Sequence, residues 1–292
     1  MTKTSRTMQS KSVVIDSPWQ QLRALTSARI AIGRSGTSIP THEMLAFQLD
    51  HAKAIDAVHC QLDTNTLVSE LQDCPIISST FLHPPFVTHS QSHDRFTYLQ
   101  RPDLGRKLCR KDQALLTQYA ISTCVDFDLS LVIADGLSSV AVQKHAIPFI
   151  QRLSIALKND DYAWSCSPIT IIKQGRVAAG DDIGQALKAN MVLVIIGERP
   201  GLSSPDSMGL YLTWAPRRGT QDGQRNCISN IRQQGMSYDD ACHKALYLAK
   251  QARHKQLSGV ELKDHSVLTE QLSSAEPCLG QNNFLTHRQN QG

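Results

Sequence analysis

The chain has no run of 18 consecutive apolar residues, which is the length that a membrane-spanning helix requires. Near its beginning, the only apolar run is residues 13–15, which is too short for the core of a secretion signal. We therefore predict a soluble protein that has no membrane partner and stays in the cytoplasm.

Cysteine pairs at metal-binding or redox spacing are also missing. Eight cysteines are present, but no two of them form a Cys-x-x-Cys pair, so a zinc site, an iron–sulfur cluster or a redox dithiol is not indicated. In a chain without a secretion signal they are predicted to be reduced thiols. His83, His89 and His93 share one polar segment, but no carboxylate or cysteine lies at ligand spacing, and we predict no metal site.

Neither basic nor acidic residues are in large excess. The formal net charge is +4 with 19% charged residues, and the lysines and arginines are scattered along the chain. Nucleic-acid-binding proteins instead concentrate basic residues in a patch or stripe. We predict no nucleic-acid partner.

The common catalytic signatures are absent as well. The sequence has no Gly-x-Gly-x-x-Gly run, no P-loop, no Gly-x-Ser-x-Gly elbow and no His-Glu-x-x-His motif. A content of 41% hydrophobic residues nevertheless supports a sizeable core. These residues by themselves indicate an α/β binding domain with a helical front end.

Composition and periodicity divide the chain into four segments. The predicted segments are a flexible N-terminus (1–17), a mainly α-helical N-terminal domain (18–97), a Rossmann-like α/β domain (98–262) and a polar C-terminal tail (263–292). The overall prediction is an α/β fold in which a helical domain precedes a mostly parallel sheet flanked by helices.

Within the N-terminal domain, residues 18–75 are predicted to be helical because apolar side chains recur near helical spacing. Gly33 and Gly36 predict a turn between its helices. A phosphate cradle is the alternative for this glycine pair, but the spacing and the lysine of a P-loop are missing. Residues 78–97 lack periodicity and predict a connecting loop.

Short, branched apolar runs begin after residue 125 and alternate with helical stretches. Residues 128–139, 167–178, 190–202 and 208–218 contain the candidate strands, and residues 139–158 and 180–189 are the candidate helices between them. Ser237 and Asp240 predict the start of a last helix, and Gly259 is predicted to end it.

Two of the candidate strands stop abruptly at a glycine beside an acidic residue. Asp135 and Gly136 follow one strand, and Gly197 and Glu198 end another. Ligands of open parallel sheets bind in the crevice outside the carboxyl ends of the strands. Since glycine allows close approach of the backbone and a carboxylate accepts hydrogen bonds, these strand ends predict a ligand crevice. Ordinary turns after strands are the alternative for each end taken alone.

Three motifs, in this order and spacing, carry a resemblance to a known family. They are YLQRPDLGRKL (98–108), VIADGLSS (132–139) and GERPGL (197–202) followed by RNCISNIRQQG (225–235). Together they closely resemble the small (light) subunit of ethanolamine ammonia-lyase, and the similarity covers roughly residues 19–262.

The resemblance implies a function that the residues alone do not indicate. It implies a lyase subunit of a large hetero-oligomer that converts ethanolamine to acetaldehyde and ammonia by a radical mechanism. The implied cofactor is base-on adenosylcobalamin, bound where this chain meets a catalytic large subunit. Carried over motif by motif, the implied cobalamin contacts are Val177 in GRV (175–177), Glu198 in GERPG (197–201) and Cys227 in RNCISN (225–230), and no catalytic residue is assigned to this chain.

Two further expectations concern location and alternatives. Some members of the family carry an amphipathic N-terminal extension linked to packing in bacterial microcompartments, so packing of this chain inside such a compartment is the alternative to a free cytoplasmic location, and the lack of a convincing apolar stripe in residues 1–17 argues against it. The alternative function is a self-sufficient α/β enzyme or binding protein for a nucleotide or sugar. The missing phosphate-binding glycines argue against this alternative.

Overall fold

A six-stranded sheet forms the centre of the structure, a computed structural model that describes residues 13–26, 28–81 and 84–266. Its strands are β3 (Phe86–His89), β4 (Phe127–Ala134), β5 (Thr170–Lys173), β6 (Ala189–Gly197), β7 (Met208–Trp214) and β8 (Arg225–Ile231). The strand order is β3-β5-β4-β6-β7-β8. The first four strands in this order are parallel, and β7 pairs antiparallel with both of its neighbours. The predicted mostly parallel sheet is confirmed.

Helices cover both faces of this sheet. They are α6 (Arg110–Thr123), α7 (Ser139–Lys158), α8 (Val177–Ala186) and α9 (Tyr238–Lys255), with the short helices α4 (Arg95–Gln100) and α5 (Pro102–Gly105) before them. Along β4, Leu131 and Ile133 pack in one core cluster with α7 and α9, whereas Val132 packs in a second cluster with α6 and α8. Successive strand side chains point to opposite faces, so an uninterrupted apolar run is what a strand covered on both sides requires.

The helical front end consists of α1 (Thr41–His59), α2 (Thr64–Asp73) and α3 (Pro75–Thr80). The expected helical N-terminal region is confirmed, but its first part is different. Residues 20–25 form a 3-10 helix. Strand β1 (Val14–Ile15) pairs antiparallel with β2 (Arg34–Ser35), and Gly33 and Gly36 stand on either side of β2. Gly33 and Gly36 have φ values of 72° and 60°, which are the left-handed conformations that favour glycine in turns.

The predicted loop at 78–97 is wrong, because it contains β3 and the start of α4. Strand β3 is an edge strand of four residues that pairs only with β5, so it shows neither a long apolar run nor clear alternation. Strand β8 lies at the opposite edge of the sheet, and its sequence also shows neither a long apolar run nor clear alternation, so no strand was predicted there. Only Arg225, Ile228 and Ile231 of its seven residues are buried.

The last helix begins as predicted and ends earlier. Ser237 caps α9 by accepting a hydrogen bond from the backbone N–H of Asp240 at 3.1 Å. The helix stops at Lys255 because Gln256 takes a left-handed conformation, with φ of 55°. Gly259 instead begins a separate 3-10 turn, where a Cβ atom would lie 2.1 Å from the carbonyl oxygen of Gly223. The prediction that Gly259 ends α9 is therefore wrong.

The two predicted end segments lie partly outside the described residues. Residues 1–12 and 267–292 are not described, and neither is His83. Of the predicted tail, residues 263–266 are described, and Ser266 is buried. Within the described ranges, no helix is long and apolar enough to cross a membrane.

Candidate functional site

A cavity of about 550 Å³ opens at the carboxyl edge of the parallel strands. After β4 the chain moves to β5 on one side of the sheet, and after β5 it returns across β4 to form β6 on the other side. The carboxyl ends of β4 and β6 therefore meet at the point where the strand order reverses, which is the usual ligand position in open α/β sheets. The cavity is lined by Tyr98, Pro102, Arg106, Gly136, Leu137, Arg176, Val177, Ala178, Ile196, Gly197, Glu198, Arg199, Tyr211, Asp222 and Arg225.

Two of the three residues predicted as cofactor contacts line this cavity. Val177 is the first residue of α8, and Glu198 directly follows β6. The third, Cys227, is exposed on β8 and stands opposite Tyr211 of β7, whose ring lines the cavity. The structure thus places Val177 and Glu198 in the wall of one cavity and Cys227 beside Tyr211 on the neighbouring strand.

The Glu198 carboxylate is oriented by two neighbouring segments. Its Oε2 accepts a hydrogen bond from the Ser207 hydroxyl at 2.5 Å and one from the backbone N–H of Asn230 at 3.3 Å. The backbone N–H of Glu198 donates to the carbonyl oxygen of Ser207 at 2.9 Å. A half-buried carboxylate held in this way is a preorganised hydrogen-bond acceptor at the cavity wall.

The thiol of Cys227 is not activated for nucleophilic attack. Partial burial of its sulfur raises the pKa of the thiol, and the nearby Glu198 carboxylate acts in the same direction. The Tyr211 hydroxyl forms a hydrogen bond with the thiol and opposes this shift. Because the thiolate is the nucleophilic form, Cys227 is better suited to a contact role.

Gly209 of β7 makes room for the Glu198 side chain. A Cβ atom at position 209 would lie 2.8 Å from Oε1 and 3.2 Å from Cγ of Glu198. Real Cβ atoms do not approach so closely, but here the neighbour is the end of a flexible side chain that can move away. An alanine at position 209 would therefore displace the carboxylate while leaving the backbone in place.

We expect Gly209→Ala to cost about 1 kcal/mol or less in the free energy of unfolding and to disturb ligand binding in the cavity. The first quantity is measured by urea denaturation, and the second by titration with cobalamin, the cofactor that the sequence resemblance implies. Gly36→Ala would not serve as a control because φ of Gly36 is positive, whereas the Cβ atom of Gly223→Ala meets no heavy atom within 4 Å beyond its chain neighbours. Unchanged cofactor affinity in Gly209→Ala would contradict the assigned position of Glu198.

Asp135, at the other acidic strand end, faces inward and has a structural role. Its two carboxylate oxygens accept hydrogen bonds from the backbone N–H groups of Gln174 and Gly175, each at 2.9 Å. The Nη1 atom of Arg95 lies 3.6 Å from Oδ2 of Asp135, and both side chains are buried. Burial raises the pKa of Asp135, while the guanidinium and the amides act against that shift. The expectation that this carboxylate offers hydrogen bonds to a ligand is wrong, because its partners belong to the loop after β5.

The glycines at the two strand ends pack against each other. A Cβ atom on Gly136 would lie 2.2 Å from the carbonyl oxygen of Gly197, and one on Gly197 would lie 1.9 Å from the carbonyl oxygen of Ser138. The backbone N–H of Leu137 donates to the carbonyl of Gly197 at 3.0 Å. Glycine is therefore needed at both positions for backbone-to-backbone contact, and the cavity is formed beside this contact.

Arg176 and Arg225 line the cavity, and Arg95 lies next to it against the Tyr98 ring. Arg95 and Arg176 flank the buried Tyr98 ring, with guanidinium carbons 4.9 Å and 4.5 Å from its centroid. The Tyr98 hydroxyl donates to the carbonyl of Gly175 at 3.1 Å. Arg225 forms a buried ion pair with Asp181, and burial raises the pKa of Asp181 to about 7. Together these contacts fix the start of α8, where Val177 stands.

The residues that sequence reasoning missed are Arg95, Tyr98, Arg176, Tyr211 and Arg225. Three of them lie in or beside the quoted motifs: Tyr98 begins the first, Arg225 begins the last and Arg176 precedes Val177. Arg95 lies in the segment misread as a loop. Within the described ranges, no group of three or more His, Cys, Asp or Glu side chains could hold a metal ion.

The amino-acid sequence is similar to one family of known proteins. The model of the family described as "Ethanolamine ammonia-lyase light chain (EutC)" matches residues 16–263. The chain is 49% identical over 270 residues to the ethanolamine ammonia-lyase small subunit of Pseudomonas fluorescens strain SBW25, covering 92% of this chain and 94% of that protein. It is 47% identical over 278 residues to the protein of the same name from Pseudomonas putida strain KT2440, with coverage of 95% and 98%.

Proposed function

This chain belongs to the ethanolamine ammonia-lyase light chain family, and on that basis we propose that it holds cobalamin in the cavity beside Val177 and Glu198. As a small subunit, it acts as part of a lyase built from this chain and a large subunit. The observation that carries the proposal is the meeting of Val177 and Glu198, which come from separate motifs, at the carboxyl edge of the sheet.

The size of the cavity supports a site shared between two subunits. Its volume of about 550 Å³ suits a drug-sized ligand, and cobalamin is larger than such a ligand. This chain alone can therefore enclose one part of the cofactor. The rest requires a second surface, which the large subunit of the enzyme would provide.

The cavity walls offer groups that suit the amide-rich rim and the apolar faces of cobalamin. Val177, Leu137 and Ile196 supply apolar surface, and the Glu198 carboxylate supplies an acceptor for amide N–H groups. The Nε atoms of Arg176 and Arg225 are buried without a hydrogen-bond partner among the described residues. Such donors are commonly satisfied by a ligand or by ordered water.

Adenosylcobalamin, when bound, supplies the radical chemistry that protein side chains lack. The role of this chain would be to bind and orient the cofactor. Glu198 would hold a peripheral amide in one direction because Ser207 and Asn230 fix its carboxylate. Val177 would pack against the cofactor and exclude water from that side. We assign no proton-transfer step to this chain.

Activity measurements test the proposal directly. Ethanolamine-dependent formation of acetaldehyde with adenosylcobalamin would be measured for this chain alone, for the cognate large subunit alone and for both coexpressed. We expect activity only in the coexpressed sample. Activity of the large subunit without this chain would overturn the proposal, and turnover of a nucleotide or sugar by the isolated chain would favour a self-sufficient enzyme.

Replacing Glu198 by alanine is expected to weaken the cobalamin affinity of the assembled enzyme by roughly tenfold or more, because an oriented acceptor is lost. The free energy of unfolding of the chain should fall by about 1 kcal/mol or less, since the side chain is only half-buried. Spectroscopic titration with cobalamin and urea denaturation measure the two quantities. Glu70→Ala on the exposed surface of α2 is the matched control. Equal affinity in the two variants would remove Glu198 from the site.

A further inference from the structure

The beginning of the chain exposes apolar side chains to an unusual degree. We call residues 13–26 and 28–59 the N-terminal arm. Of the nineteen large hydrophobic residues that are exposed among the described residues, twelve lie in this arm. They include Trp19 at 67%, Leu25 at 75% and Leu45 at 60% exposure. Single exposed apolar residues are normal on protein surfaces, but a concentration of this kind marks an interaction surface.

Helix α1 turns its apolar face away from the rest of the protein. Its buried residues are Glu43, Ala54 and Ala57. Leu45, Leu49 and Ala52 are exposed and follow the i, i+4, i+7 spacing of a single helix face. A surface helix normally buries its apolar stripe against its own domain. In α1 this stripe lies on the opposite side and has no cover within the described chain.

The N-terminal arm carries four acidic and four basic residues, so it has no formal net charge, and two ion pairs join its parts. Arg23 pairs with Glu43 at 2.5 Å, and Arg29 pairs with Asp50. The Arg29 guanidinium also lies over the Phe47 ring, 5.0 Å from its centroid. These contacts join the segment before α1 to α1 itself, so the arm presents one surface. An apolar surface with aromatic and methionine side chains is typical of the core of a stable subunit interface.

The arm is fixed to the body at the rim of the cavity. Arg95 donates from Nε to the carbonyl of Val58 at 2.7 Å and from Nη1 to the carbonyl of Gly136 at 2.8 Å. The Ser139 hydroxyl donates to the carbonyl of Cys60 at 2.5 Å. Because Gly136 lines the cavity, the C-terminal end of α1 is held beside the edge at which the second subunit would close over the cofactor, and the apolar stripe extends from there along the same helix.

We infer that the N-terminal arm is a docking surface for the large subunit of the enzyme, and that the stripe of Leu45, Leu49 and Ala52 on α1 is part of the contact. The inference rests on the proposed function, which makes the large subunit the partner at the adjoining cavity. An anionic membrane fits the arm poorly, because α1 carries three acidic residues and a single lysine. A second copy of this chain is the other occupant that the experiment distinguishes.

The test compares the double variant L45E/L49E with L115E/I121E, which places the same charges on exposed positions of α6. Each full-length chain is purified, its fold is verified by circular dichroism and urea denaturation, and its affinity for the cognate large subunit is measured. We expect L45E/L49E to bind roughly tenfold or more weakly than the wild-type chain, and L115E/I121E to bind like it. Hydrogen exchange of the wild-type complex should show slower exchange of α1 amides than in the free chain.

The outcomes separate this inference from the proposed function. Equal binding of L45E/L49E and the control, with unchanged exchange in α1, would overturn the inference while leaving the subunit role intact. If L45E/L49E abolished self-association of this chain without changing its affinity for the large subunit, the surface would belong to a second copy. If the wild-type chain did not bind the large subunit at all, both proposals would fail. Should L45E/L49E not fold, the exchange measurement on the wild-type complex decides.

Discussion

Substituting Gly197 by alanine is expected to lower the free energy of unfolding by about 3 kcal/mol or more. The new Cβ atom would lie 1.9 Å from the carbonyl oxygen of Ser138 and 2.8 Å from that of Asp135. Both neighbours are backbone atoms of the loop after β4, so they cannot rotate away as a side chain can. The loop would have to move, and the hydrogen bond from Leu137 to Gly197 would be lost.

Urea denaturation of the purified chain measures this effect, and Gly223→Ala is the matched control. Beyond the chain neighbours of Gly223, no heavy atom lies within 4 Å of the ideal Cβ position, so alanine there should change stability by less than about 1 kcal/mol. Similar unfolding free energies for the two variants would mean that the contact between the two strand ends is easily relaxed. The loop would then be a poor scaffold for the cavity.

We expect the second large loss in the free energy of unfolding for Asp135→Asn. The substitution keeps the shape of the side chain but replaces one acceptor by an amide donor, which would face a backbone N–H. It also removes the partner of the buried Arg95 guanidinium. Breaking a buried pair by removing one member costs about 3–5 kcal/mol, and we expect a loss of this size in the free energy of unfolding.

Asp103→Asn provides the comparison for Asp135→Asn. Asp103 pairs with Arg101 at 2.8 Å, but both side chains are exposed, so its unfolding midpoint in urea should remain that of the wild-type chain. A near-neutral Asp135→Asn variant would contradict the role of the Asp135 carboxylate as the charged partner of Arg95. In that case Arg95 would be held by its carbonyl partners alone.

Local signals in the sequence were sufficient for the central elements. The runs that form β4 and β6 are apolar without interruption because both of their faces are covered. Ser237 marked the start of α9 because a helix N-terminus needs an acceptor for its free N–H groups. Elements at the edges were harder to predict, since β3 and β8 are each covered less completely and their sequences read as polar segments.

The ordered motifs determined the family, because their residues are required in combination and an accidental match of all of them is improbable. They also named Val177 and Glu198, which the fold then brought to one cavity. The same strand-end pattern gave a wrong role for Asp135, whereas Gly136 and Gly197 line the cavity and also contact the backbone of each other's loops. A glycine or a carboxylate has the same appearance in a sequence whether it faces a ligand or another part of the chain.

The sequence by itself therefore determined the class of fold, the buried strands, the helix start at Ser237 and the family. Only the tertiary structure decided which strand ends are adjacent, that Asp135 holds the loop after β5 and that Gly136 and Gly197 support each other. It also revealed that α1 turns an apolar face outward. The physical reason is that these features depend on contacts between residues far apart in the chain, whereas propensity and periodicity report only the demands of each segment on its immediate surroundings.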